Sequence, residues 1–267
     1  MHVQINYKKT LKIKAYSNYI IFTDEKFNIN SFKNTLSKSE LSFISELLKN
    51  SDLKKDFLDF QVSAKKKIIL VSLKEKIAFS KIENLGAKFY HHIKDNRINE
   101  YIIDTNFLLA KNKNIVGHFL HGIKLKSYKF DKYKTKKNKK IILITVVGKS
   151  VPSPNDQIKF QSIEEGTFYT RDLVSEPGNI LHPDEYAKRI KSLSKDGLKV
   201  SIYDEKKLKK LGMNTLLGVG QGSIRGSYLV TIEWNGLKDK SKPLAFVGKG
   251  VCFDTGGISL KPAKFME

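Results

Sequence analysis

The chain has 267 residues, of which 40% are hydrophobic and 28% are charged, and this balance excludes a mainly disordered protein. Its formal charge of +22, from 49 basic and 27 acidic residues, would favour binding to any polyanion, including non-specific contact with nucleic acid. Only four of the basic residues are arginines. Lysine lacks the planar guanidinium group with which arginine hydrogen-bonds to base edges, so a solvated basic surface is favoured over a base-specific nucleic-acid site.

Several features indicate a cytoplasmic protein. No stretch is long and apolar enough to span a bilayer, which argues against a membrane partner. Residues 1–16 alternate polar and apolar positions like an edge strand, and they lack the apolar core and cleavage site of a signal peptide. The single cysteine, Cys252, cannot form an internal disulfide, so no oxidising compartment is required.

Residues 1–150 alternate strand-like and helix-like stretches, which predicts a self-contained N-terminal α/β domain. Strands are expected at Lys12–Phe22, Lys67–Ser72 and Lys140–Val147, the last two from continuous apolar runs. Helices are expected at Ser37–Leu48, which opens with the capping pattern Ser-Lys-Ser-Glu, and within Ile102–Leu125.

Two prolines and small polar residues break the periodicity after Ser150, so residues 151–165 are predicted to be a linker. A second, α/β domain is expected over residues 166–267. Its predicted elements are a helix opening at His182-Pro183 and ending at Gly197, a strand at Leu198–Tyr203, a helix at Glu205–Leu211, a glycine-rich loop, and strands at Tyr228–Trp234 and Pro243–Gly248. This βαβ-like order predicts a mostly parallel sheet with ligand sites beyond the carboxyl ends of its strands.

The segment VGKGVCFDTGGISLKPA, from Val247 onward, carries the residues with the most chemical potential. Lys249 lies between two glycines just past an apolar strand-like run, Asp254 precedes Thr-Gly-Gly, and Lys261 precedes Pro262. One interpretation is structural, with two lysines offsetting the charge of an Asp-Gly-Gly turn. Another is a metal site in which Asp254 supplies oxygens and Lys249 a neutral amine. Phosphate binding is set aside because the P-loop and dinucleotide spacings are missing.

Other candidates have simpler interpretations. Cys252 sits in an apolar stretch and is expected to be a small core residue rather than a nucleophile. His118 and His121 lie on an amphipathic stretch without an evident carboxylate partner, and they are interpreted as ordinary histidines. Arg171 and Asp172 could form a structural pair, and the glycines at 218, 220 and 222 are expected to allow a tight turn.

The segment from Val247 to Ala263 resembles the signature of the leucyl (cytosol) aminopeptidase family almost position for position. Thr170–Asn179 (TRDLVSEPGN) resembles the family's A-R-D-L-V-N-E-P-x-N, and Leu211–Ser223 is similar to a further characteristic stretch. Gly117–Lys137 resembles the end of the family's N-terminal domain. The resemblance is strongest after Thr170 and implies a hydrolase that removes N-terminal residues, leucine among them, from peptides.

Matching residue by residue, the resemblance implies that Lys249 binds one of two divalent ions, Mn or Zn, and that Asp254 bridges both. Lys261 matches the family's catalytic lysine. The family continues beyond the position of Glu267 and supplies another aspartate ligand, an Asp-x-Glu pair and an arginine. The expectation is therefore a fragment with the first part of the metallopeptidase domain, too few ligands for activity alone, and a hexameric full-length form. The alternatives are a basic DNA-binding protein and an inactive remnant or regulatory subunit.

Overall fold

A computed structural model describes residues 3–9, 18–33, 36–106, 108, 114–136, 140–237, 242–252 and 264. The chain divides into two compact units, Met1–Asp172 and Leu173–Glu267. No helix in these described ranges is long and apolar enough to cross a membrane.

The first unit is built on a six-stranded sheet in the order β1-β6-β5-β2-β4-β3. Its neighbouring strands run parallel, except that β3 pairs antiparallel with β4. The strands are β1 (Val3–Lys8), β2 (Asn18–Thr23), β3 (Phe57–Ser63), β4 (Lys66–Ser72), β5 (Glu100–Asp104) and β6 (Ile142–Val147). The helices of this unit are α1 (Lys38–Lys49), α2 (Phe79–Ile93), α3 (Ile115–Lys126) and α4 (Pro154–Ser175), and a short 3-10 helix spans Asn30–Phe32.

Helices cover both faces of the sheet, which explains the continuous apolar runs of its central strands. On one face, Ile69 and Val71 of β4 belong to a core with α2 and α3. On the other face, Ile68 and Leu70 of the same strand belong to a second core that includes Ile44 of α1. Because successive side chains of a strand point to opposite faces, every residue from Ile68 to Val71 is buried.

Helices α2 and α3 approach so closely that their backbones touch. A Cβ atom added to Gly86 would lie 2.0 Å from the carbonyl oxygen of Phe119, and one added to Gly122 would lie 1.9 Å from that of Glu83. Only glycine fits at these two positions, because any side chain would overlap the backbone of the other helix. This close crossing fixes α3 beneath the sheet.

The predicted α/β class is confirmed, and the mostly parallel sheet is the six-stranded sheet of the first unit. The strands at 67–72 and 140–147 and the helix that opens at Ser37 are confirmed as well. Of the strand predicted at Lys12–Phe22, residues 18–22 are in β2, and the earlier part lies outside the described residues. The helix predicted within Ile102–Leu125 is wrong over its first part. Residues 102–104 belong instead to β5 (Glu100–Asp104), because the sequence of an apolar strand that is buried in a sheet resembles that of a buried helix.

The segment 151–165, predicted to be a linker, contributes most of its residues to helix α4. Ser153, just before the first residue of this helix, caps it: its hydroxyl accepts a hydrogen bond from the backbone N–H of Asp156 at 3.2 Å. The compact units meet in sequence between Asp172 and Leu173, inside the last turn of α4. The division into domains 1–150 and 166–267 stays a prediction.

The second unit contains α5 (Pro183–Ser192), a 3-10 turn (Leu193–Asp196), β7 (Lys199–Tyr203), α6 (Glu205–Lys210), α7 (Asn214–Gly220) and β8 (Leu229–Glu233). Strands β7 and β8 pair antiparallel, whereas their βαβ-like order predicted a parallel pair. Strands β7 and β8 are connected by two short helices, with a turn at Gly212 (φ +71°) between them. A connection with one helix leaves the two strands parallel, and the second helix reverses the chain once more, which makes them antiparallel. The predicted glycine-rich turn is likewise corrected, because residues 214–220 form α7.

Candidate active site

Lys249 is exposed and lies in the segment 242–252, which has no regular secondary structure. The strand predicted at Pro243–Gly248 is therefore wrong for this chain. No described strand pairs with it, and Leu244 and Phe246 keep 80% and 88% of their surface exposed. An extended segment forms a stable strand only when a neighbouring strand satisfies its N–H and C=O groups and another layer covers its apolar side chains.

The other two predicted site residues, Asp254 and Lys261, lie outside the described residues. The roles of Lys249, Asp254 and Lys261 accordingly stay predictions. Within the part of the chain that the structure describes, no three histidine, cysteine, aspartate or glutamate side chains are grouped so that they could hold a metal ion. The described residues by themselves thus do not form the metal site that the sequence predicts.

The backbone beside Lys249 packs against helix α5. A Cβ atom added to Gly250 would lie 2.8 Å from Cε1 of Tyr186, so the tyrosine ring occupies the space that a side chain would need. The contact explains why glycine follows Lys249: a larger residue would collide with the tyrosine ring. The sequence alone indicated only that glycine allows more backbone conformations. Spacing did not indicate Tyr186, because its contact is made 64 positions away in the chain.

The first turn of α5 carries a group of charged and polar side chains. His182, before the first helical residue, is hydrogen-bonded through Nδ1 to Oδ1 of Asp184, and Nη1 of Arg225 donates to Oδ2 of Asp184 at 3.0 Å. Burial is the largest single influence and raises the pKa of Asp184, but the hydrogen bonds with His182 and with its own backbone N–H, and the charges of His182 and Arg225, together hold this pKa below its usual value. The predicted helix start at His182-Pro183 is confirmed, since Pro183 is the first residue of α5.

Cys252, predicted to be a small core residue, is half-buried rather than fully buried. Burial raises the pKa of its thiol, and the nearby carboxylate of Asp184 raises it further. A thiol held in its protonated form is a poor nucleophile, which agrees with the interpretation that no cysteine chemistry is involved.

Glu176, the second of two acidic residues in the segment Thr170–Asn179, has a structural role in the second unit. The side chain of Glu176 is only 2% exposed and accepts a hydrogen bond from Nη1 of Arg189 at 2.9 Å. The same guanidinium donates through Nε to Glu185 at 2.9 Å. Arg189, itself a residue of α5, therefore ties the family-like segment to this helix by one charge-assisted hydrogen bond, and its bond to Glu185 lies within the helix.

Arg171 and Asp172, suggested as a pair, instead bind different groups on the residues that end α3. Nη1 of Arg171 donates to the carbonyl oxygen of Leu125 at 2.6 Å, and the hydroxyl of Tyr128 donates to Asp172 at 2.8 Å. Adjacent helical residues point in different directions, so this separation is expected of neighbours in α4.

The histidines of α3 also require a correction, because each has a carboxylate partner. Nδ1 of His118 lies 2.7 Å from Oε1 of Glu83, and Nδ1 of His121 lies 2.9 Å from Oε1 of Glu164. The partners are 35 and 43 residues away in sequence, so local spacing did not reveal them. The interpretation of these histidines as structural rather than as a metal pair agrees with this pairing.

Comparison with known proteins bears on the second unit above all. Residues 168–267 match the family "Cytosol aminopeptidase family, catalytic domain". A "Probable cytosol aminopeptidase" of Sinorhizobium fredii is 47% identical over 175 residues, which cover 61% of this chain and 35% of that protein. A second relative of the same name, from Wolbachia pipientis, is 38% identical over 79% of this chain and 43% of its own length. The chain thus spans well under half the length of these curated relatives.

Solved structures share the fold. A mutant of tomato leucine aminopeptidase has a TM-score of 0.70 at 21% identity, over 95% of this chain and 55% of that one. The bottromycin maturation enzyme BotP, in complex with Mn, has a TM-score of 0.61 at 17% identity, over 83% of this chain and 46% of its own. The resemblance drawn from the sequence is confirmed: residues 168–267 match the catalytic domain of the cytosol aminopeptidases, and curated relatives of this chain bear that name.

Proposed function

We propose that this chain is part of a metal-dependent aminopeptidase that removes apolar N-terminal residues, such as leucine, from peptides in the cytoplasm. The observation that carries the proposal is the match of residues 168–267 to the catalytic domain of the cytosol aminopeptidases. Relatives that are 47% and 38% identical bear the same name, which supports the same reaction class here.

In this proposal Lys249 and Asp254 would be ligands of two divalent ions, Lys249 through its amine and Asp254 through its carboxylate oxygens. Lys249 is exposed and therefore free of the packing that would keep its amine from a ligand. When bound, the ions would supply an activated water and polarise the scissile carbonyl. The choice between Mn and Zn is left to the metal assay, since oxygen ligands with one amine suit both.

Lys261 stabilises the negative charge that develops on the carbonyl oxygen during hydrolysis. Removing one such donor in other enzymes costs about 3 to 4 kcal/mol of transition-state stabilisation. In a chimera that carries the downstream catalytic residues of a curated relative, Lys261→Ala should therefore lower kcat by about two to three orders of magnitude while changing KM little. Lys261→Arg, which keeps the charge but not the shape, should recover part of this loss.

Hydrolysis of the chromogenic amide of L-leucine with added Mn²⁺ tests the proposal. Two matching ligands are too few for two hard cations, so we expect little turnover by the 267-residue chain alone. We expect turnover by a chimera that continues with the downstream catalytic residues of the Sinorhizobium fredii relative, and we expect it to assemble as a hexamer in light scattering. A folded chimera that hydrolyses neither leucine amide nor a leucine peptide would refute the proposed activity.

Non-specific nucleic-acid binding is the second candidate, and the net charge of +22 is the observation in its favour. Binding of this kind weakens steeply with salt and ignores base sequence, because it depends on the release of counterions. Titration of two unrelated DNA duplexes at rising salt measures it. Equal affinities that fall together with salt would support charge alone, whereas undetectable binding at low salt would exclude this function.

A further inference from the structure

A cavity of about 300 Å³ lies within the first unit, between strand β1 and helices α3 and α4. Its apolar lining includes Ile5 and Leu120 and the aromatic rings of Phe160 and Phe168. Its volume is at the lower end of the range for small-molecule sites, about 300–1,000 Å³, and fits a ligand the size of one amino acid. The residues singled out for catalysis, 249, 254 and 261, do not line it.

A buried polar pair forms one wall of the cavity. The side chain of His121 is 7% exposed and that of Glu164 is 11% exposed, and the two are joined by the 2.9 Å hydrogen bond. The ring of His121 also packs against Phe160, with 5.2 Å between the ring centroids. Polar groups that are buried beside an open cavity, rather than beside packed side chains, are typical of ligand sites.

The cavity is acidic on a basic protein. Glu164 and Glu165 line it, and Gln161 donates to Oε1 of Glu165 at 2.8 Å. Lys124 is the cation of the lining, and its Nζ donates to the carbonyl oxygen of Val3 at 2.7 Å. Burial lowers the pKa of Lys124, while Glu164 and Glu165 act in the opposite direction. The lining thus offers a ligand two carboxylates against one lysine, which favours a cationic group.

Tyr7 adds a hydroxyl that stays protonated. Burial, and next the charge of Glu164, raise its pKa to about 12, so the phenol can donate a hydrogen bond at any physiological pH. It lies on β1, across the cavity from α4.

The lining selects among ligand classes. A phosphate or another polyanion would face two carboxylates, which opposes its binding. A metal ion would need three or more grouped ligands, and no such group exists among the described residues. A purely apolar ligand would displace water from the carboxylates of Glu164 and Glu165 and would offer them no hydrogen bond in return. An ammonium group satisfies the carboxylates, and it is also attracted to the faces of aromatic rings such as those of Phe160 and Phe168.

We propose that this cavity binds a primary ammonium compound with an apolar body of amino-acid size, with the ammonium group at Glu164 and Glu165 and the apolar body against Phe160 and Phe168. A free apolar amino acid would in addition place its carboxylate toward Lys124, whereas a simple amine would not use that end. The proposal does not depend on the peptidase function, because it rests on residues of the first unit alone.

Isothermal titration calorimetry on the 267-residue chain tests this with three probes of equal apolar bulk. They are L-leucine, isopentylamine, which lacks the carboxylate, and 4-methylpentanoate, which lacks the amine. We expect the two amines to bind and 4-methylpentanoate not to bind. If L-leucine binds more tightly than isopentylamine, the ligand class is amino acids. If L-leucine and isopentylamine bind equally, the ligand class is simple amines.

The variant Glu165→Lys distinguishes this cavity from general charge effects. Glu165 is exposed, so its replacement should leave the fold intact, as circular dichroism can verify. We expect at least about tenfold weaker amine binding, the usual result of losing a hydrogen bond to a charged group. Glu75→Lys, an exposed loop residue with the same change in charge, should bind as the parent does.

Two results would overturn the proposal. One is the absence of heat for both amines up to millimolar concentration. The other is equal affinity in the parent, Glu165→Lys and Glu75→Lys, since binding would then lie elsewhere on the protein.

Discussion

Asp59 of β3 illustrates how single residues stabilise the first unit. Its carboxylate accepts a hydrogen bond from Nζ of Lys67 at 3.0 Å and lies 2.8 Å from Nε2 of His92. Burial raises the pKa of Asp59, but the hydrogen bonds and charges of His92 and Lys67 outweigh burial, so the pKa lies below 3.8. These partners come from β4 and α2, and only the folded sheet brings them together.

The lowered pKa of Asp59 predicts a pH dependence of stability. A carboxylate whose pKa is depressed by folding stabilises the protein above the unfolded-state value, and this contribution is lost as pH falls below 3.8 toward the folded-state value. Asp59→Asn should cost about 1 kcal/mol at neutral pH and should flatten the decline in the free energy of unfolding as pH falls below the usual pKa of aspartate. Urea titrations across this range provide the measurement.

Asp95→Asn is the matched control, because Asp95 is a largely exposed carboxylate whose closest lysine nitrogen, that of Lys94, is 3.9 Å away. Its pH profile should follow that of the parent. If Asp59→Asn kept the parent's acid-side slope, the charge on Asp59 would not be contributing as described.

At the scale of elements, the helix α1 has a start that its sequence specifies. The hydroxyl of Ser37 accepts from the backbone N–H of Glu40 at 3.2 Å, and the Glu40 carboxylate accepts from the backbone N–H of Ser37 at 2.9 Å. Ser37→Ala should lower the free energy of unfolding by about 1 kcal/mol, since it removes this capping box. Ser42→Ala, at an exposed position inside the same helix, should be neutral or slightly stabilising. Equal effects of both changes in thermal unfolding would contradict the capping role.

Substitutions at the crossing of α2 and α3 should lower the free energy of unfolding more than the loss of the Ser37 cap. Gly86→Ala and Gly122→Ala each place a methyl group within 2.0 Å of a backbone oxygen of the other helix, so the helices must separate. We expect each variant to lose about 1–3 kcal/mol of stability or more, as is usual for overpacking. Chemical denaturation measures this loss.

Gly166→Ala provides the control for the crossing. Nothing lies within 4 Å of a Cβ atom at this position in α4, so alanine should stabilise the helix by up to about 1 kcal/mol. Destabilisation by Gly166→Ala, or tolerance of Gly86→Ala, would mean that the close approach of α2 and α3 does not limit stability.

The elements also show what could be predicted from sequence. The cap at Ser37, the proline that opens α5 and the apolar run of β4 are local signals, and each predicted its element correctly. By contrast, the sequence predicts helix where β5 forms and a linker over much of the first half of α4, because tertiary contacts outweigh weak local patterns. The carboxylate partners of His118 and His121 were likewise out of reach, since they lie on other helices.

At the scale of the whole molecule, the chain corresponds to 35% of the Sinorhizobium fredii relative, and its segment 242–252 keeps apolar side chains exposed. The motif around Lys249 can be recognised from the sequence because its residues are close together in the chain. The strand before it was predicted wrongly because strand formation depends on neighbours, and no described strand lies beside it. The family was therefore easier to predict than the conformation of its signature.

The measurement that tests the central claim most directly is Mn²⁺ and Zn²⁺ affinity, by calorimetry, of the chimera that carries the downstream catalytic residues. Lys249→Ala and Asp254→Ala should each weaken metal binding at least about tenfold, while Lys242→Ala, an exposed lysine of the same segment, should bind as the parent does. Unchanged affinity in both Lys249→Ala and Asp254→Ala, with the chimera folded and loaded with metal, would contradict the assignment of these two residues as metal ligands.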